Sequence, residues 1–233
     1  MSNTIAVFPA SDFVKLAGFT SKDETRPYLK CVNIEPAPDG GCIMVATTGQ
    51  IMGILRQPVD MGRATGNLMV STAKDILKAT KGSARECLYL VCRDTGMDIV
   101  VADNPAAAID GAPVKATIPA SAAYLSGLTF PAWRKVLPEK QSGTRADKIN
   151  ETTTRYAAIN PDLLEPFAAF GEFLSFDWNG LGAISVAAQN PNFYGVIMPG
   201  NGGVTPDDIL ARRAYVMETA QAATEQAATE QAA

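Results

Sequence analysis

Leu29-Lys30-Cys31-Val32-Asn33-Ile34-Glu35, the turn Pro38-Asp39-Gly40-Gly41, Cys42-Ile43-Met44-Val45-Ala46-Thr47, the turn Thr48-Gly49 and Ile51-Met52-Gly53-Ile54-Leu55-Arg56 follow one another between residues 29 and 56. Short apolar runs separated by Asp-Gly and Thr-Gly turns predict three consecutive antiparallel strands. Upstream, Thr4 to Phe8 reads as a strand. Pro9-Ala10-Ser11-Asp12 then opens a helix with Phe13, Leu16 and Ala17 on one face. The first 56 residues therefore spell one unit: strand, helix, three strands.

The unit recurs. Leu68 to Ser71 reads as a strand, Thr72 to Ala79 as a helix ending near Gly82, and Cys87 to Cys92 and Asp98 to Ala102 as strands around Asp94-Thr95-Gly96. Residues 103–129 read as a connection containing one short strand, Val114 to Ile118, and residues 139–154 as a polar loop. A third copy starts with a strand, Tyr156 to Ile159. Asn160-Pro161-Asp162 caps a helix carrying Leu163, Leu164, Phe167 and Phe170. Leu174 to Trp178 and Gly182 to Ala187 flank the hairpin turn Asn179-Gly180, and Tyr194 to Met198 is the last strand. Beyond it, Thr205-Pro206-Asp207-Asp208 predicts a helix start, and the repeated Ala-Ala-Thr-Glu-Gln between Ala222 and Gln231 predicts a fraying or disordered end. The expected class is α+β. The expected domains are residues 1–118 with two repeated units, 119–200 with a connector and one unit, and a tail, 201–233.

Composition removes whole classes of chemistry. With 233 residues, 47% of them hydrophobic, the chain can bury a core without disulfide or metal staples. It contains no histidine, which excludes Ser-His-Asp and Cys-His catalysis and His-ligated metals. A net charge of −4 argues against nucleic-acid binding through the overall field, so any such contact needs a local basic face. Cys31, Cys42, Cys87 and Cys92 form no C-x-x-C pair and lie in apolar runs, which predicts buried, reduced thiols in a cytoplasmic protein. No apolar run has membrane-spanning length and no signal peptide is evident at Met1-Ser2-Asn3-Thr4. No cofactor or metal is expected.

Three segments carry a resemblance. Arg26-Pro27-Tyr28-Leu29 with Val32-Asn33-Ile34-Glu35 and Val45-Ala46-Thr47-Thr48-Gly49 is similar to a stretch of the bacterial DNA polymerase III beta sliding clamp family that reads Arg-x-x-Leu-x-Gly, an apolar strand and Val-Ala-Thr-Asp-Gly-His-Arg-Leu. Phe130-Pro131-Ala132-Trp133-Arg134-Lys135-Val136-Leu137-Pro138 resembles the family's connector, Phe-Pro-Asp-Tyr-Arg-Arg-Val-Leu-Pro. Tyr194-Gly195-Val196-Ile197-Met198-Pro199 resembles its closing Tyr-Val-Val-Met-Pro. The segments fall in the family's order over residues 4–199. Two departures stand out. Asp-Gly-His-Arg is here Thr48-Gly49-Gln50-Ile51, and about three units replace the family's six, matching its middle domain and the second half of its last.

The resemblance implies a hydrophobic pocket for a short peptide of polymerases and repair proteins, built from Thr47, Gly49, Met52, Pro131, Lys135, Val136, Val196 and Met198. Rigid proline and valine beside adaptable methionine suit a slot for Leu or Phe anchors. The competing reading makes Met52, Val136 and Met198 plain core. The resemblance also implies a ring lined by helices facing duplex DNA. Candidate phosphate contacts are Lys15, Lys22, Lys74, Lys78, Lys81 and Arg85, of which Lys74, Lys78 and Lys81 share one helical face. An ordinary solvated face is the competing reading, and Asp162, Glu165 and Glu172 make the third helix acidic. Twelve helix-bearing units per ring would need four chains of three units, or three chains if a fourth unit is present.

The expected protein is thus non-catalytic: a clamp-like processivity factor, of phage or mobile-element origin, binding polymerase or other clamp-binding proteins and encircling DNA. The alternative is a monomeric peptide-binding module or regulator that never touches DNA. An aspartic-protease reading of Asp94-Thr95-Gly96 competes with a plain hairpin turn, because the motif occurs once. Asp94, Asp98 and Asp103 do not follow the calcium-loop spacing, and Asn201-Gly202-Gly203 reads as a helix lead-in rather than an anion-binding loop.

Overall fold

The computed structural model describes residues 3–80, 87–138, 158–178 and 183–200. The chain divides into two compact units, Met1–Pro138 with Pro161–Met198, and Glu139–Asn160 with Pro199–Ala233. Within the described part of the second unit, Ala158 and Gly200 form an isolated antiparallel bridge, with the Gly200 amide donating to the Ala158 carbonyl at 2.9 Å.

The first unit opens with β1 (Thr4–Pro9), α1 (Ala10–Ala17), β2 (Cys31–Pro36), β3 (Cys42–Thr47) and β4 (Ile51–Gln57), as the sequence predicts. A two-residue strand β5 (Arg63–Ala64) precedes β6 (Leu68–Ser71), α2 (Lys74–Thr80), β7 (Leu88–Arg93) and β8 (Gly96–Val101). Next come α3 (Pro105–Ile109), β9 (Val114–Pro119) and the single turn α4 (Ala120–Ala123); β10 (Leu174–Asp177), β11 (Ile184–Ala188) and β12 (Phe193–Ile197) close the series. These strands form two antiparallel sheets, β5-β1-β7-β8-β9 and β10-β11-β12-β4-β3-β2-β6. The two N-terminal repeats exchange their first strands: β1 joins β7 of the second repeat, and β6 joins β2 of the first. Each sheet thus contains strands of both repeats, which ties them into one body.

One side of the sheets carries α1 and the segment Pro161–Phe170. Phe13 and Leu16 of α1 and Phe19 just after it are fully buried, with the Phe13 ring 6.3 Å from that of Phe8. Phe19 meets Phe167 edge-on at 4.8 Å, and Phe170 stacks on Phe193 at 3.8 Å. On the opposite side of the five-stranded sheet, Val7, Tyr89, Val91 and Val100 pack under Ala108 of α3. Here α3 corrects the expectation of a plain connection. Asn104 caps it, its side-chain oxygen accepting from the Ala107 amide at 2.9 Å, and Pro105 takes the first helical position.

Three further expectations change. The segment Pro161–Phe170 is a 3₁₀ helix, not an α-helix; Pro166 lies inside it, where an α-helix would set the proline ring against the carbonyl four residues back. Cys87 is exposed just before β7, whereas Cys31, Cys42 and Cys92 are buried as expected. Asp94 and Thr95 form the turn between β7 and β8, in line with the hairpin reading of that motif. The Asn179-Gly180 turn, the tail from residue 201, and Tyr156 and Ala157 of the expected Tyr156 to Ile159 strand lie outside the described residues, as does Gly82 beyond α2. No helix among the described residues is long and apolar enough to cross a membrane.

Candidate functional site

Side chains alternate across the seven-stranded sheet. Asn33 and Glu35 of β2 stand opposite Val45 and Ile43 of β3, and Val45 and Thr47 opposite Ile54 and Met52 of β4. Val196 and Tyr194 of β12 continue the same row beyond β4. This face lies opposite the helices, and the segment 130–138 crosses it. Trp133, 7% exposed, inserts among Val45, Met52, Ile54 and Val196, with Phe130 and Leu137 packed around them. The segment reaches this position because Tyr124, shortly before it, ties both sheets. Its hydroxyl donates to the Gly96 carbonyl at 2.6 Å, and Leu125 donates its amide to Met69 at 3.0 Å.

A cavity of about 270 Å³ opens where this segment meets the ends of β3, β4 and β12. It is lined by Arg26, Tyr28, Leu29, Thr47, Gly49, Gln50, Ile51, Met52, Pro131, Ala132, Trp133, Val136, Val196 and Met198. Met52, Val196, Thr47 and Leu29 form a buried floor, whereas Val136 and Met198 are 47% and 41% exposed at the mouth. So Met52 is buried as a core residue would be, but Val136 and Met198 are not. The turn beneath is fixed by the Thr47 hydroxyl, which donates to the Ile51 carbonyl at 2.7 Å and accepts from the Gly49 amide at 2.9 Å. Gly49 takes φ +92°, a left-handed value glycine adopts freely. The Met198 amide donates to the Gln50 carbonyl at 2.8 Å, joining the end of β12 to that turn.

Seven of the eight residues predicted for the pocket line this cavity; Lys135 is exposed and does not. Sequence reasoning passed over Arg26, Tyr28, Leu29, Gln50, Ile51, Ala132 and Trp133. Arg26, Tyr28 and Leu29 belong to a run already conspicuous in the chain, and that was the signal available. Arg26 reaches the site from the side: its guanidinium lies 3.6 Å from where a Cβ on Gly49 would stand. Among the described residues Arg26 is the only charged one in the lining, so the cavity can hold apolar side chains beside one cation.

Among the described residues, the predicted phosphate contacts on α1 and α2 lie on the helical side of the sheet. Lys15 on α1 pairs with Asp12 at 3.2 Å and sits 5.9 Å from the centre of the Phe170 ring. Lys22 is exposed after α1; Lys74 and Lys78 are exposed on α2, one turn apart. Lys81 and Arg85 lie outside the described residues. Asp162, Glu165 and Glu172 are exposed on or beside the 3₁₀ segment, which packs against α1. Among the described residues no group of three or more carboxylates and thiols is placed to hold a metal ion.

With this geometry in place, the fold can be assigned a class: it is the sliding-clamp fold. The DNA polymerase III beta subunit of Borrelia burgdorferi, solved in complex with a natural product, matches 86% of this chain and 65% of its own at TM-score 0.57 and 14% identity. The Streptococcus pneumoniae beta chain matches 87% and 66% at TM-score 0.58 and 11% identity. The sliding clamp of Bartonella birtlesii, bound to griselimycin, matches 85% and 66% at TM-score 0.54 and 15% identity. The chain therefore spans about two thirds of the length of these clamps. No protein-family model and no curated protein matches it.

Proposed function

We propose that this chain is a non-catalytic, clamp-like protein that captures a short apolar peptide segment of replication or repair proteins, a DNA polymerase among them. One observation carries the reading: residues chosen from sequence for a peptide pocket line one cavity, floored by Met52 and Val196 and rimmed by Val136 and Met198. The cavity's size and apolar lining suit one or two Leu or Phe side chains. The test is binding of a fluorescein-labelled five-residue peptide ending in Leu-Phe, read by anisotropy. Saturable binding that Met198→Ala weakens supports the reading, and absence of binding removes it.

A ring around duplex DNA is the larger form of this proposal. Strands β9 and β10 stand at sheet edges, with Val114 and Phe176 exposed on them at 56% and 48%. Open apolar edges favour head-to-tail pairing of copies into a trimer or tetramer. The monomeric module that avoids DNA is favoured by the exposed Asp162, Glu165 and Glu172 and by the net charge of −4. Light scattering over a concentration series separates the two: a stable trimer or tetramer supports the ring, and a 24.6 kDa species throughout supports the module.

A further inference from the structure

The geometry points to Glu35 as the positioning residue of the pocket: acting through Trp133 and Arg134, it holds the wall formed by segment 131–136 against the sheet. This rests on the peptide-pocket reading but concerns a residue outside the cavity lining. The Glu35 carboxylate accepts from three donors, the Asn33 side-chain amide at 2.9 Å, the Trp133 indole N–H at 3.0 Å and the Arg134 guanidinium at 2.7 Å. The guanidinium also lies 4.1 Å from the centre of the Trp133 ring, so Arg134 closes over both partners.

Segment 131–136 has few other anchors. Its backbone bonds are local, Trp133 to Pro131, Lys135 to Ala132 and Leu137 to Arg134, and it forms no strand with the sheet it crosses. Apolar insertion of Trp133 supplies attraction but little direction, since hydrophobic burial is non-directional. Charge-assisted hydrogen bonds supply the direction, and they are roughly twice as strong as neutral ones. The Glu35 side chain is only 15% exposed, so water competes poorly for it. Burial disfavours its charged form, yet Arg134, Trp133 and Asn33 outweigh this and hold the carboxyl below the usual glutamate range.

Glu35 also borders a second cavity, of about 390 Å³, between segment 124–131 and strands β2 and β6. Pro131 lines both cavities, so the segment is the partition between them. Releasing the partition lets the two spaces merge and removes one wall from the peptide slot. The affinity cost is then a loss of preorganisation, with every peptide-contacting residue still present.

The experiment uses the full chain, the labelled peptide described above and ¹⁵N-labelled protein. Only two indoles occur, Trp133 and Trp178, and Trp133→Phe assigns the Trp133 N–H signal. Loss of preorganisation predicts about tenfold weaker peptide binding for Glu35→Ala, and about threefold for Glu35→Gln, which retains an acceptor for the indole. The Trp133 indole N–H should shift and exchange faster with solvent in Glu35→Ala, with partial recovery in Glu35→Gln. Glu24→Ala, which removes the exposed partner of Lys30, should alter neither readout. If Glu35→Ala does not fold, Arg134→Ala takes its place, because Arg134 is more than half exposed and lies outside the lining. A folded Glu35→Ala or Arg134→Ala protein with unchanged affinity, or with an unchanged indole signal, overturns the assignment. If the wild-type protein binds no peptide, the pocket reading fails, and the indole signal alone decides whether Glu35 holds the segment.

Discussion

Gly53 of β4 and Gly195 of β12 are direct register partners across the seam that brings the last three strands into the seven-stranded sheet. On the helix side of that seam a Cβ on Gly53 would stand 2.9 Å from the Phe19 ring, and one on Gly195 only 2.3 Å from the Phe167 ring. Those two rings meet edge-on at 4.8 Å, so the paired glycines are the clearance the aromatic contact needs. On the opposite face, one residue away in each strand, Met52 and Val196 floor the cavity. Seam and pocket floor are therefore two faces of one strand pair.

Gly195→Ala should destabilise the protein by about 1–3 kcal/mol through overpacking. Gly53→Ala should cost less, because its neighbour sits farther away. Urea unfolding at neutral pH measures both. Adding Phe167→Leu to Gly195→Ala should recover part of the loss, since the clash is with that ring. Additive losses in the double variant would mean that the glycine is needed for another reason.

Much of this seam could be read from the chain, but not how it closes. The run from Leu29 to Arg56 gives its strands through apolar spacing and Gly turns alone. Tyr194 to Met198 is legible in the same way. The pairing of β12 with β4 joins residues some 140 positions apart and leaves no local pattern. The exchange of β1 and β6 between repeats was hidden for the same reason. Seven of the cavity's lining residues were legible only because they lie in the three segments that carry the resemblance to the clamp family. Glu35 was not singled out, because a glutamate at a strand end reads as solvated until Trp133 and Arg134 are seen against it. The 3₁₀ form of 161–170 was legible in principle at Pro166, but the apolar spacing of Leu163, Leu164, Phe167 and Phe170 outweighed it.

At the pocket mouth, Met198→Ala and Val136→Ala should each weaken peptide binding by about 1–3 kcal/mol, the usual range for truncating an apolar side chain that contacts the ligand. Lys135→Ala should leave affinity within about twofold, because the residue is exposed and outside the lining and rim charges contribute little. Anisotropy titrations of the labelled peptide measure all three. An equal loss at Lys135 would mean that the peptide extends along the connector beyond the cavity.

Thiol chemistry checks the core. Burial pushes the thiols of Cys31, Cys42 and Cys92 up to about 12, so at pH 8 they are protonated as well as inaccessible. Cys87 alone is exposed. A disulfide reagent such as Ellman's should therefore titrate one thiol rapidly in the native protein and four in 6 M guanidinium. Cys87→Ser should abolish the fast phase without altering the melting temperature. A second fast thiol in the native protein would show that one of the two sheets opens readily.

The lysines of α2 decide between ring and module. Lys74 and Lys78 are exposed one turn apart on α2. If they meet phosphates, Lys74→Ala with Lys78→Ala should weaken duplex binding uniformly across sequences and lower the salt slope of log K by about 2, roughly one per contact removed. Glu165→Gln with Glu172→Gln should act in the opposite direction, by reducing repulsion from the neighbouring exposed carboxylates. Binding is measured on nicked circular and linear duplexes between 50 and 200 mM salt. A closed ring remains on the circle at high salt and slides off the linear form, because threading is topological and not electrostatic. If neither duplex is retained and the lysine variants match wild type, the helical face is only a solvated surface and the ring reading falls.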